Sequence, residues 1–127
     1  MTRSEIMSRI RSVSRFEREA GPLVRASLGV PLRHQPRGVF GRPDYANKRR
    51  RVAAFVDGDF WHGGPAYREP GTNAGFWREK VRRNRARRRE VARELRAAGW
   101  VVAEFWESEL REARKIFRRP MKTWRKK

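Results

Sequence analysis

Apolar positions follow distinct rhythms along this chain. Val52-Ala53-Ala54-Phe55-Val56 is apolar at every position. That predicts a central strand buried on both faces, ending at Asp57-Gly58. Trp100-Val101-Val102-Ala103-Glu104-Phe105-Trp106 predicts a second strand, rich in β-branched and aromatic residues. Between the two, Trp77, Val81, Asn84, Arg88, Val91, Leu95 and Ala98 recur at steps of four and three. They mark one face of a long helix over 76–98, apolar at both ends, polar in the middle and stopped by Gly99. The stretch 58–75 is rich in glycine and proline and predicts a loop, a common carrier of function on a rigid scaffold.

Upstream, Ser14-Arg15-Phe16-Glu17 fits a capping box that would open a first helix. Gly21-Pro22 would kink that helix, or restart it with Pro22 in a new first turn, and Gly29 and Pro31 would end it. Residues 32–45 predict short strands broken by Pro36, Gly38 and Gly41-Arg42-Pro43. Residues 108–118 predict a last helix with Leu110, Ala113 and Phe117 inward. The order α, β-hairpin, β, loop, α, β, α predicts a mixed α/β sandwich. One domain over 14–118 is expected, between a polar arm (1–13) and a basic tail (119–127).

Charge narrows the class of partner. Of 127 residues, 33 are Lys or Arg and 14 are Asp or Glu, a formal charge of +19. Such a chain repels itself unless a polyanion neutralises it, and cationic side chains release condensed counterions from nucleic-acid phosphates. Cysteine is absent, which excludes disulfides, a thiol nucleophile and a cysteine-ligated zinc. No apolar run approaches the ~20 residues of a membrane span, and the N-terminus lacks the apolar core of a secretory signal. A cytoplasmic, nucleoid-associated protein is expected.

In so basic a chain the acidic residues carry most of the information. Asp44 follows Gly41-Arg42-Pro43, and Asp57, Asp59 and His62 cluster where the buried strand emerges. Adjacent strand ends would bring Asp44 and Asp57 together. Paired carboxylates with carbonyls and water suit Mg²⁺, which can stabilise charge on a phosphate. A nearby imidazole could act as general base. This is the composition of a phosphodiester hydrolase. The plainer readings are turn chemistry for Asp44 and Asp57, an arginine partner for Asp59, capping alone for Glu17, and core packing for the aromatics.

Gly41-Arg42-Pro43-Asp44, the run Ala54-Phe55-Val56-Asp57-Gly58-Asp59-Phe60-Trp61-His62, then Phe76-Trp77-Arg78-Glu79-Lys80 with Asn84, Ala98-Gly99-Trp100 and Trp106-Glu107 together resemble the very short patch repair DNA endonucleases. The resemblance covers roughly residues 2–110. It implies a restriction-endonuclease-like fold of the PD-(D/E)xK type, a mixed sheet flanked by helices. It also implies Mg²⁺-dependent nicking of double-stranded DNA on the 5′ side of the thymine of a T:G mismatch. On this resemblance Asp44 is the metal-binding aspartate, Val56 offers a backbone carbonyl to the metal, and His62 is the catalytic histidine. Glu17 belongs to the active site. Phe60, Trp61 and Trp77 wedge into the duplex.

Departures from the family pattern are equally specific. The family has histidine where Asp57 stands, cysteine where Asp59 stands, and an aspartate that orients the catalytic histidine where Arg88 stands. Gly63-Gly64-Pro65-Ala66 and Trp106-Glu107-Ser108 lack zinc ligands, so no structural zinc is expected. Asp57 would join the metal site instead. Asp59 and Asn84 are accessory candidates, and Arg82, Arg83, Arg85 and Arg88 are expected to hold the DNA backbone. A homing-type or phage-associated endonuclease of the same fold, and a catalytically inactive DNA-binding module, remain open at this point. Protein partners are not legible.

Overall fold

The computed structural model describes residues 2–7 and 20–115. A helical turn, α1, spans 3–7. Helix α2 (Gly21–Leu28) has Pro22 in its first turn, where a missing N–H costs nothing. It ends at Gly29 in the left-handed conformation, whose N–H donates to the Arg25 carbonyl. The capping box at Ser14, Glu17, Phe117 and the tail from 119 to 127 lie outside the described residues.

Four strands follow in the order β1 (Arg33–His34), β2 (Tyr45–Asn47), β3 (Val52–Asp57) and β4 (Val101–Trp106). The first two pairings are antiparallel and β3 runs parallel to β4. The parallel pair needs a crossover. It is made by α3 (Asp59–His62) and the long α4 (Ala74–Ala97). A last helix, α5, spans 107–115. The four residues of α3 correct the expectation of an unbroken loop over 58–75. Asp59-Phe60-Trp61-His62 is too short to show a helical period, and its glycine flanks read as coil.

Every residue of β3 is buried, as its unbroken apolar run requires. Val52, Ala54 and Val56 pack on one side with Val24, Leu32, Tyr45 and Leu110. Ala53 and Phe55 pack on the other with Val39, Ala46 and Leu95. A strand alternates its faces, so Asp57 continues the row of Ala53 and Phe55. That row faces α4. Strand β4 is the sheet edge and is only partly covered, with Val101 exposed. Among the described residues no helix is long and apolar enough to cross a membrane.

Candidate active site

Strand β3, helix α3 and helix α4 meet at one end of the sheet. After Asp57, Gly58 stays extended and the chain turns at once into α3. Gly63 closes that turn in the left-handed conformation, donating its N–H to the Asp59 carbonyl. A Cβ at Gly63 would lie 2.8 Å from Val81 of α4, so glycine permits both the turn and the close approach. Asn84 fastens the same turn from α4, its amide donating to the Trp61 carbonyl at 2.9 Å. This short helix returns His62 to the strand end, where His62 Nε2 lies 3.7 Å from Asp57 Oδ1.

Arg88 arrives from α4 on the other side of Asp57. Its Nε and Nη2 donate to Asp57 Oδ1 at 3.0 and 2.8 Å, and Nε also lies 3.1 Å from Oδ2. The guanidinium carbon sits 3.8 Å from the centre of the Phe55 ring. A cation over an aromatic face, forked onto a carboxylate, is a fixed arrangement. Asp57 is therefore committed to Arg88 and His62. It is not presented as an open ligand, as the expectation for a metal site requires.

His62 is held below its ordinary pKa of 6.5. Burial is the largest cause, the Asp57 carboxylate opposes it, and the Arg88 cation adds to the lowering. The imidazole is neutral at physiological pH and can take up a proton. Its Nδ1 is buried without a hydrogen-bond partner among the described residues.

Asp44 stands immediately before β2. Tyr45 pairs with Ala54, so Asp44 lies beside the end of β3, where its Oδ2 accepts the Val56 N–H at 2.5 Å. The antiparallel register thus places the start of β2, rather than its end, against the Asp57 end of β3. The expectation paired Asp44 with Asp57; Asp44 instead meets the Val56 backbone, one residue before Asp57, whose carboxylate is turned to Arg88. No group of three or more acidic or histidine side chains able to hold a metal occurs among the described residues. The donors at hand are hard oxygens few in number. They fit Mg²⁺, which retains several waters and takes one or two carboxylates, and they do not fit a closed zinc site.

Asp59 plays a different part. Buried at the start of α3, it accepts the Ser108 N–H at 3.0 Å, the Ser108 hydroxyl at 2.7 Å and the Ala66 N–H at 3.0 Å. It ties α3 to the following loop and to the first turn of α5, whose leading N–H groups lack intrahelical partners. Gly64 makes room, since a Cβ there would lie 2.5 Å from the Trp106 ring and 2.7 Å from Asp59 Oδ2. The arginine partner considered for Asp59 is replaced by these three hydrogen bonds. Asp59 and Ser108 also stand where the resemblance places zinc ligands in other family members.

The aromatic residues form a stack with an inside and an outside. Trp77 is buried beneath Phe60 and Trp61, with ring centres 5.5 and 6.1 Å away. Phe60 and Trp61 meet edge to face at 4.8 Å and are partly exposed. Trp77 is therefore not offered to a duplex as a surface ring; it supports the two that are. Phe76, beside it, is 62% exposed. Its neighbour Trp77 belongs to the apolar stripe of α4 and Phe76 does not, which was the available signal.

A cleft of about 320 Å³ opens between α4 and β4, lined by Asp57, His62, Arg85, Arg88, Arg89 and Glu104 among others. Arg85 and Arg88 thus join the catalytic candidates. Arg82 and Arg83 instead pair with Glu79 on the exposed side of α4 and hold its carboxyl down at about 2. Arg89 and Glu104 are additional lining residues. Glu104 was hidden because it interrupts an apolar strand, and only the β3–β4 register, which sets it opposite Phe55, turns it toward this end. Glu17 lies outside the described residues.

Comparison with known proteins gives a consistent picture. The family model described as DNA mismatch endonuclease Vsr matches residues 1–68. A type II nicking enzyme, V.NmeDIP of Neisseria meningitidis serogroup C, is 38% identical over 87 residues, 66% of this chain and 59% of its own. DNA mismatch endonuclease Vsr of Escherichia coli (strain K12) is 37% identical over 91 residues, 69% of this chain and 58% of its own. The nicking enzyme V.XorIIP of Xanthomonas oryzae pv. oryzae is 33% identical over 110 residues, 85% of this chain and 81% of its own. The chain thus spans about three-fifths of the length of several of these relatives.

Proposed function

The chain belongs to the Vsr family of DNA mismatch endonucleases, and from that premise we propose that it nicks double-stranded DNA beside a T:G mismatch by Mg²⁺-dependent hydrolysis. The observation that carries this reading is His62 set 3.7 Å from Asp57 in an arginine-lined cleft, with Asp44 bonded to the backbone of Val56, one residue before Asp57. We assign the sheet and its flanking helices to the PD-(D/E)xK architecture on the same premise. The protein would act in the cytoplasm, on the nucleoid.

Each residue has a chemical part. Arg85 and Arg88 line the cleft and attract the phosphate. Asp44, with the Val56 carbonyl, would hold Mg²⁺, which supplies positive charge beside the scissile phosphate. His62 takes a proton from the attacking water as its oxygen bonds to phosphorus. The P–O3′ bond breaks, leaving a 5′-phosphate and a 3′-hydroxyl that gains its proton from solvent. Asp57, 3.7 Å from Nε2, would stabilise the imidazole once protonated. Phe60 and Trp61, backed by Trp77, replace the base stacking that is broken when the mismatched step opens.

A catalytically inactive binding module is the second reading, favoured by the Arg88 cation standing in the cleft. Incubation of end-labelled matched and T:G duplexes with Mg²⁺ or EDTA separates the two. The enzyme reading requires Mg²⁺-dependent nicking of the T:G strand, abolished in Asp44→Ala while DNA affinity holds. Tight binding without nicking under any condition supports the inactive module. Equal cutting of matched DNA would keep the nuclease and remove the repair role.

A further inference from the structure

The sheet carries a second concavity at its other end. A groove of about 600 Å³ is lined by Leu32, Arg33, Arg37, Asn47, Lys48 and Arg49 among others. Residues 33–51 contain seven cations (Arg33, Arg37, Arg42, Lys48, Arg49, Arg50 and Arg51) and one carboxylate, Asp44. That carboxylate is turned to the Val56 N–H, toward the catalytic end. Among the described residues, none of Arg33, Arg37, Lys48 and Arg49 forms an ion pair, and all four are exposed. On α4, Arg78, Arg82, Arg83, Arg93 and Arg96 each have a glutamate partner, while Lys80, Arg85, Arg87 and Arg89 form no ion pair among the described residues.

The groove is also preformed. Asn47 donates to the Pro31 carbonyl at 2.9 Å and accepts the Arg50 N–H at 3.0 Å. Arg51 closes the turn with a positive φ of 54°. These bonds hold Lys48 and Arg49 on a fixed turn rather than on a loose loop. Asn47 pairs with Val52, the first residue of β3, and Asp57 is the last. At about 3.3 Å per strand residue the groove lies ~17 Å from the catalytic end. Duplex DNA advances about 3.4 Å per base pair along each strand, so the same span is about 5 base pairs.

We propose that this β1–β2 groove is a second phosphate-backbone site, which grips the flank of the bound duplex about half a helical turn from the cleaved phosphate. The inference rests on the DNA endonuclease reading. Cationic side chains without a fixed amide pair facing base edges give register and affinity rather than sequence preference. The site would extend the footprint to one side only.

Binding of fluorescent T:G duplexes to the full chain tests this, with the flank on either side of the mismatch shortened from about 15 to about 3 base pairs. Wild-type protein should bind about tenfold or more weakly when one particular flank is shortened, and nearly as tightly when the other is. The variant Arg37→Glu/Lys48→Glu/Arg49→Glu should bind the long duplex as weakly as wild type binds the shortened one, with no further dependence on either flank. Its salt slope on the long duplex should fall by about 2–3, close to one for each phosphate that the variant no longer neutralises. The corresponding Gln variants should give smaller decreases in the same direction.

Unchanged affinity of the variants, or an equal decrease on every duplex length, would overturn the inference. So would a stoichiometry of two duplexes per protein. Nicking of the T:G strand is read in parallel. A wild-type protein that fails to nick overturns the endonuclease reading, whereas nicking that persists with flank dependence absent overturns only the groove.

Discussion

Removing Arg88 exposes the logic of the site most directly. The Arg88→Ala change leaves the Asp57 carboxylate, whose side chain is 6% exposed, without a cation, its nearest titratable neighbour being the neutral His62 at 3.7 Å. Breaking a buried ion pair from one side costs about 3–5 kcal/mol, and the lower figure applies because the guanidinium is 21% exposed. Loss of the cation from the Phe55 face adds about 1 kcal/mol. A total of about 4 kcal/mol is a large share of the ~5–15 kcal/mol that holds a domain folded. For a chain of this size it lowers Tm by roughly 15 °C. Asp57→Asn alone should cost less, about 2 kcal/mol, because Arg88 can turn its charge to water. The double variant Asp57→Asn/Arg88→Ala should be at least ~2 kcal/mol more stable than the sum of the single losses predicts.

The pH dependence supplies a second readout. Arg88 lowers the His62 pKa and Asp57 raises it. The acid limb of the nicking rate, below 6.5 in the wild type, should move to higher pH in Arg88→Ala and to lower pH in Asp57→Asn. Stability follows the same linkage. His62 binds its proton less readily folded than unfolded, so its contribution is fully present above 6.5 and is lost as pH falls through the lower folded value. In Arg88→Ala this acid-side loss should shrink. Thermal melts in Mg²⁺-free buffer and single-turnover nicking across about pH 5–8 test both parts. Stability losses that add within about 0.5 kcal/mol, together with acid limbs that stay in place, would refute a coupled Arg88–Asp57–His62 unit.

Asp59→Ala should lower stability by about 2–4 kcal/mol in urea unfolding, because it strands the Ser108 and Ala66 donors. The pH limb of nicking should not move, which separates this tie from the catalytic unit. Trp77→Ala should cost about 3–5 kcal/mol of stability as a large deletion from a buried stack. Phe60→Ala and Trp61→Ala should be milder in stability, about 1–2 kcal/mol, while lowering the preference for T:G over matched duplex by about tenfold in binding assays.

How far the sequence reveals this arrangement depends on the range of the contact involved. Strand β3 is legible because burial on both faces leaves an unbroken apolar run. The α4 stripe is legible because its period survives 24 residues. The stripe also shows Asn84 and Arg88 inward among apolar neighbours, which is the mark of a polar partner across the interface. The identity of that partner is not local. Arg88 and Asp57 are 31 residues apart, and Ser108 and Asp59 are 49 apart. Only the parallel β3–β4 register and the length of the crossover decide those meetings. The β1–β2 groove is harder still to read, since its charges are visible in the sequence but the concavity that gathers them is a property of the packing.

The resemblance to the family places histidine at position 57 and an aspartate at position 88, and the aspartate orients the catalytic histidine. In this chain Arg88 reverses the charge on the helix, and on sequence alone that removes the orienting group. The geometry offers a different resolution. The strand has gained a carboxylate, Asp57, that lies beside His62 and is forked by the new cation. Each charge depends on the other: Asp57 without Arg88 is a buried carboxylate without its fork, and Arg88 without Asp57 is a cation beside an imidazole that must accept a proton. Together they keep a carboxylate next to His62 while moving its origin from α4 to β3. The same pairing commits Asp57 elsewhere, leaving Asp44 as the side-chain ligand of the proposed Mg²⁺ site. The Arg88–Asp57 fork thus keeps a carboxylate 3.7 Å from His62, as the proposed chemistry requires.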